Sequence, residues 1–194
     1  MNNYELYVSD KTILDEYIKI PTFFEVKSIF EVGLKEKEDE YKIVERQIDT
    51  PYIKDYDEIK SDSLDPHAFI KQRDTIPWGF FLIYENEMPV AGAIAAYNTE
   101  WTNMLDGRDD LTVLWDIRVH PEYRGKGIGR KLIYSVIDWA KERNCTQIKI
   151  ETQNVNVNAC KFYRAMGAKL KGVNYHVYKG KEKDEIQFFW YMDL

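Results

Sequence analysis

The chain predicts a mixed α+β fold built on one central sheet. Two patterns carry that expectation: an early meander of apolar runs, then two late strand–helix–strand steps. Length adds a third. At 194 residues the chain can bury one sizeable core without a disulfide or metal staple, so a single domain over residues 1–194 is expected.

The elements follow in order. Residues 1–20 carry no strong pattern. Thr22–Gly33 alternates, with Phe24, Val26, Ser28, Phe30 and Val32 on one face, and reads as a strand. Lys35–Glu40 is a charged run and reads as a solvated turn, so Tyr41–Ile48 closes a hairpin. Residues 51–74 are polar and irregular, with room for one or two short helices. Asp65-Pro66 suits a helix start there. Phe80–Glu85 and Val90–Tyr97 are strands joined through Asn86-Glu87-Met88-Pro89, and Thr99–Asp110 is a loop. Leu111–Val119 is an apolar strand. Gly127–Arg143 has a stripe of Ile128, Leu132, Ile133, Val136, Ile137 and Ala140 and reads as a helix, with Asn144 as its C-cap. Gln147–Thr152 is a strand, Asn156–Met166 a helix, and Lys169–Tyr178 and Ile186–Met192 the last strands.

Arg124-Gly125-Lys126-Gly127-Ile128-Gly129 lies between the strand ending at Val119 and the helix from Gly127. Backbone N–H groups at a helix N-terminus lack intrahelical partners and carry the positive end of the helix dipole, so this turn suits a phosphate. Glycines let that phosphate approach the backbone. The P-loop pattern needs Gly-Lys-Ser/Thr, which is absent. The dinucleotide fingerprint needs Gly-x-Gly-x-x-Gly and an acidic residue about 20 positions on. Here the glycines stand at 125, 127 and 129, and Glu151 is only a loose match.

The pattern that fits is Arg-x-x-Gly-x-Gly, which resembles the pyrophosphate loop of the GNAT N-acetyltransferase superfamily. Asn156-Val157-Asn158-Ala159-Cys160-Lys161-Phe162-Tyr163-Arg164-Ala165-Met166-Gly167 resembles that family's helix Asn-x-x-Ala-x-x-x-Tyr-x-x-x-Gly. The resemblance narrows through Glu151-Thr152-Gln153, Ala159–Tyr163, Phe189-Trp190-Tyr191, Trp101 and Pro51–Tyr56, which look like streptothricin acetyltransferases. It covers roughly residues 20 to 194 and is patchy before 75. Ala168 stands where a Phe is usual, and Trp115 where an acidic strand residue is expected; residues 57–74 and 102–110 also differ.

The resemblance implies a mixed central sheet of about six to seven strands flanked by about four helices, splayed around the coenzyme strand. It implies acetyl-CoA as cosubstrate and a small cationic amine as acceptor. By the same resemblance Ile117, Arg118, Val119, Arg124, Gly125, Lys126, Gly127, Ile128, Gly129, Asn156 and Tyr163 bind the coenzyme, and the Val119 N–H faces the thioester oxygen. Tyr163 matches the general acid for the departing thiolate; the alternative is packing. Asn156 is equally a plain N-cap. For the base, Asp116 and Glu151 are the candidate carboxylates; salt bridges to Arg118 or Lys149 are the alternative for each. Tyr52, Asp55 and Tyr191 are second-line pocket candidates.

Composition sets the remaining bounds. A net charge of −6 argues against general nucleic-acid binding. No apolar run approaches membrane-spanning length; low cysteine use and an N-terminus that is not signal-like fit a cytoplasmic protein, and a monomer or homodimer is expected. Cys145 and Cys160 make no disulfide framework, and Cys160 reads as a buried apolar residue rather than a nucleophile. No His/Cys cluster has metal-ligand spacing. Two other readings stay open: a protein or peptide N-acetyltransferase, and a non-catalytic acyl-CoA sensor.

Overall fold

A computed structural model describes residues 4–37, 40–58 and 70–194. The expected helix start at Asp65-Pro66 lies outside the described residues. The elements are β1 (Glu5–Ser9), α1 (Leu14–Tyr17), β2 (Phe24–Lys37), β3 (Glu40–Lys54), β4 (Gly79–Glu85), β5 (Met88–Ala96), β6 (Leu111–Val119), α2 (Ile128–Lys141), β7 (Gln147–Gln153), α3 (Val157–Ala165), β8 (Lys169–Asn174) and β9 (Gln187–Asp193). The chain divides into two compact units. One comprises the N-terminal residues to Phe24, Asp55–Ile148 and Leu194; the other comprises Glu25–Lys54 and Lys149–Asp193. Four sheet strands belong to the first unit and three to the second, which bears out the α+β class and the expected six to seven sheet strands. Three α-helices lie among the described residues.

In the first unit the strand order is β1-β4-β5-β6, antiparallel throughout. β4 and β5 are buried along nearly their whole length. Their two-residue connection, Asn86-Glu87, has φ of 49° and 66°, the left-handed pair that matches hairpin twist. β5 is rich in alanine and glycine because a ring packs directly on it. A Cβ on Gly92 would stand 2.6 Å from the Tyr17 ring. Tyr17, Leu14 and Ile20 join Trp78, Phe80, Leu82, Ile94 and Leu111 in one core cluster. The sequence reading missed β1 and α1; both are short, and Asp10 stands between them, capping the turn that leads into α1 by accepting from the Thr12 N–H.

α2 buries Ile128, Leu132, Ile133, Val136, Trp139 and Ala140. Each large apolar side chain so buried is worth about 1.5–3 kcal/mol before entropy is counted. Trp139 replaces Ile137, which is only half-buried, in the expected stripe. Asn144 takes φ 59° past the helix end, as its capping role requires.

In the second unit β2 and β3 pair as a separate two-stranded sheet, so they do not belong to the central sheet. Both strands outrun the expected hairpin, and β3 absorbs Pro51–Lys54, which the sequence reading placed in an irregular segment. The other strands run β7-β9-β8, with β8 and β9 antiparallel. Asn154 clamps this unit: its side chain donates to Phe30 C=O at 3.0 Å and accepts from the Ile186 N–H at 2.8 Å. β8 stops at Asn174, short of the expected Tyr178.

Candidate active site

The glycine-rich turn sits in the first unit between β6 and α2. Gly125 and Gly127 have φ of 75° and 82°, and a Cβ at either would meet nothing within 4 Å. Glycine is therefore favoured there by backbone conformation, not by crowding inside the protein. Gly127 is the α2 N-cap, and the first helical bond runs from the Lys131 N–H to Gly127 C=O. Among the described backbone hydrogen bonds, none is donated by the amides of residues 125–129. That leaves a run of donors at a helix N-terminus, the donor set a pyrophosphate needs.

Arg124 holds the turn. Its guanidinium donates to Val119 C=O and Phe23 C=O, each at 2.9 Å. Lys126 lies over the Tyr123 ring, 4.9 Å from its centroid, and stays exposed. The Tyr123 hydroxyl donates to Glu85 at 2.6 Å, and this bond, with lesser help from burial, pushes its pKa up to about 12. His120 caps the Pro121–Tyr123 turn by accepting from the Glu122 N–H.

β6 carries a bulge. Asp116 faces Ile94 and Leu114 faces Ala95, which leaves Trp115 as the extra residue. Beyond it the ladder is regular, Gly92 facing Arg118 and Ala91 facing Val119. The His120 N–H donates to Val90 C=O at 2.9 Å, so Ala91 and Val119 form a non-hydrogen-bonded pair. The backbone groups of Val119, and of Ile117 two residues back, therefore point away from β5. Arg118's backbone instead faces Gly92, and its buried side chain is committed elsewhere.

That side chain joins Asp116 and Asp57. Nε stands 2.9 Å from Asp116 Oδ2 and Nη1 stands 3.0 Å from Asp57 Oδ1. Nη1 also donates to Ile20 C=O, and the guanidinium covers the Tyr17 ring at 5.3 Å. Burial pulls the Arg118 pKa down, but the Asp116 and Asp57 carboxylates outweigh it and hold the group protonated. Asp116 thus takes the salt-bridged alternative left open by the sequence. Trp115 packs with Trp78 and Trp101, with ring centroids 5.3 and 5.8 Å away.

Tyr163, Asn156 and Glu151 lie in the second unit. Tyr163 is on the buried face of α3 with Val157 and Cys160. Ala159, Phe162 and Met166, expected to share that face, are only half-buried. Asn156 is the α3 N-cap, accepting from the Ala159 N–H at 3.2 Å. The Cys160 thiol is pushed up to about 12 by burial, which suits the apolar reading of that residue.

Glu151 accepts from the Tyr178 hydroxyl at 2.5 Å. Burial raises its pKa; hydrogen bonds from Tyr178 and Gln187 pull it back, and Glu185's charge adds to the rise. Tyr52 is exposed, Asp55 accepts from the Thr22 hydroxyl at 2.9 Å, and Tyr191 is half-buried with Lys149 over its ring. Sequence reasoning missed Tyr178, Gln187 and Glu185. Gln187's alternation with Phe188 is the one local signal for any of them.

The GNAT acetyltransferase family model matches residues 41–168. The chain belongs to the GNAT acetyltransferase family. A streptothricin acetyltransferase of Escherichia coli is 30% identical over 178 residues, covering 91% of this chain and 88% of that protein. Streptothricin acetyltransferase A of Bacillus subtilis is 28% identical over 76% of each chain. The crystal structure of a protein assigned as a streptothricin acetyltransferase from Bacillus anthracis, in complex with acetyl coenzyme A, superposes with a TM-score of 0.78. It is 25% identical, and the match covers 99% of this chain and all of that one. The protein is a GNAT N-acetyltransferase, and acetyl-CoA is its cosubstrate. No helix among the described residues is long and apolar enough to cross a membrane.

Proposed function

We propose that this enzyme, one GNAT-like domain over residues 1–194, acetylates a primary amine of a streptothricin-like cationic antibiotic and so confers resistance to it in the cytoplasm. The observation that carries this reading is the likeness to streptothricin acetyltransferases over nine-tenths of the chain. The buried, partly uncompensated carboxylates of the second unit support a cationic acceptor.

Acetyl-CoA supplies an activated acyl group as a thioester. The amides of residues 125–129 and the α2 dipole hold its pyrophosphate, with Lys126 adding charge. Ile117 and Val119 offer backbone groups to the pantetheine arm, and the Val119 N–H stabilises negative charge developing on the thioester oxygen. Glu151 takes the proton from the acceptor ammonium, directly or through water. Its raised pKa brings it nearer the pH at which it must accept one. Tyr163 gives a proton to the departing sulfur. Asn156 caps α3, the helix that carries that hydroxyl.

The test is thiol release from acetyl-CoA with streptothricin, a polyamine and a lysine peptide. Turnover with streptothricin at kcat/KM at least tenfold above the others supports the reading. Turnover of the peptide alone sinks it in favour of peptide acetylation.

A further inference from the structure

Glu185 precedes β9 in a stretch the sequence presents as polar loop. It forms a buried ion pair with Lys54, the two side chains being 11% and 7% exposed. Lys54 takes only Oε1; Oε2 is shielded from solvent and accepts no hydrogen bond among the described residues. A buried acceptor without a donor carries a desolvation cost and calls for an account.

Its surroundings say which donor would complete it. Glu185 helps to raise the pKa of Glu151, and with Glu182 that of Tyr52, in each case after burial itself. These groups all lie in the second unit with Lys54 and Tyr178. Among the described ion pairs, Lys54 is the one cation set against Glu151, Glu182 and Glu185. An anion is repelled by this balance, and a neutral amide or water would fill Oε2 without relieving the charge. An ammonium does both, and the Tyr52 and Tyr178 rings can cover its methylene stem.

Resting on the acetyltransferase reading above, we propose that Glu185 is the recognition carboxylate for a cationic amine of the acceptor, Oε2 accepting from the ammonium while Lys54 fixes Oε1. Acetylation removes the ammonium charge. The same carboxylate then discriminates against product and favours its release.

Glu185→Gln keeps the shape and removes the charge. At saturating acetyl-CoA it should raise the KM for streptothricin at least tenfold, with acetyl-CoA Kd by calorimetry within twofold of wild type. Lys54→Met leaves the Glu185 charge to the acceptor and should hold or lower that KM. The double variant has no unpaired buried charge, so it guards against misfolding, and it should show the raised KM. On the wild type, the acetylated product should bind at least tenfold more weakly than the amine. Equal product and amine affinities would overturn the assignment. So would a KM within twofold of wild type in both variants lacking Glu185, or equal increases from the two single changes, the mark of a merely structural pair. If the wild type is active on streptothricin, those results sink the Glu185 role alone. If it acetylates no cationic amine, the acceptor reading falls and takes this one with it.

Discussion

Arg118 Nε donates to Asp116 Oδ2 at 2.9 Å, which makes a candidate base into a counter-ion. Arg118 is buried, and both Asp116 and Asp57 pair with it. A carboxylate bound in this way is a poor free acceptor for a second cation. Its work is to hold the stretch of β6 just past the bulge, where Ile117 and Val119 present their backbone groups.

Asp116→Asn should therefore act on stability before it acts on acceptor binding. Losing a charge-assisted bond costs about 1.5–3 kcal/mol, and Asp57 and partial exposure keep the loss near the lower end. A fall in Tm of a few degrees, with acceptor KM within twofold, is expected from thermal melts and steady-state kinetics. A tenfold rise in acceptor KM at unchanged Tm would return Asp116 to the acceptor site.

Gly127 separates conformational from electrostatic effects. Its φ of 82° strains any side chain, so Gly127→Ala should cost about 1–2 kcal/mol of stability. The methyl itself meets nothing within 4 Å, so the folded fraction should keep most coenzyme affinity. Gly127→Glu adds a carboxylate where phosphate is expected and should abolish binding. Calorimetry with acetyl-CoA decides, and unchanged affinity in a folded Glu variant would refute the loop assignment.

What was legible in the sequence had short-range causes. β6 was delimited by Asp110 on one side and His120-Pro121 on the other, and it spans Leu111–Val119 as expected. The glycine turn and α2 follow from backbone conformation and apolar spacing. The buried face of α3 was misplaced because Val157, Cys160 and Tyr163 and their half-buried neighbours Ala159 and Phe162 are all apolar enough to define a stripe. Only tertiary packing selects between them. The Trp115 bulge depends on register against β5, which one strand cannot encode alone. Lys54 and Glu185 are 131 residues apart, so no local pattern joins them.

Tyr163→Phe should keep the fold and coenzyme affinity, since the ring still fills the buried α3 face. If proton donation to sulfur limits the reaction, kcat should drop by roughly 10²-fold. The loss should appear in kcat and not in the acetyl-CoA Kd. Unchanged kcat under chemistry-limited conditions would leave Tyr163 a packing residue.

Glu151 ties stability and activity to the same proton. Burial raises its folded pKa, so the folded state binds a proton more tightly than the unfolded chain does. Its contribution to stability is complete below the unfolded value, about 4.5, and is lost as pH rises through the higher folded value. Glu151→Gln should remove that loss, so the variant's Tm should fall less than the wild type's between mildly acid and neutral pH. A base must be deprotonated, so the acid limb of wild-type kcat/KM should lie above the ordinary glutamate range. That limb should vanish in the amide variant along with most of the rate. A bound cationic acceptor favours the ionised carboxylate and should therefore stabilise the protein more at neutral than at acid pH. Melts and rate profiles across this window test both halves. A flattened stability curve with an intact acid limb would keep Glu151 as a buried structural acid and place the base elsewhere.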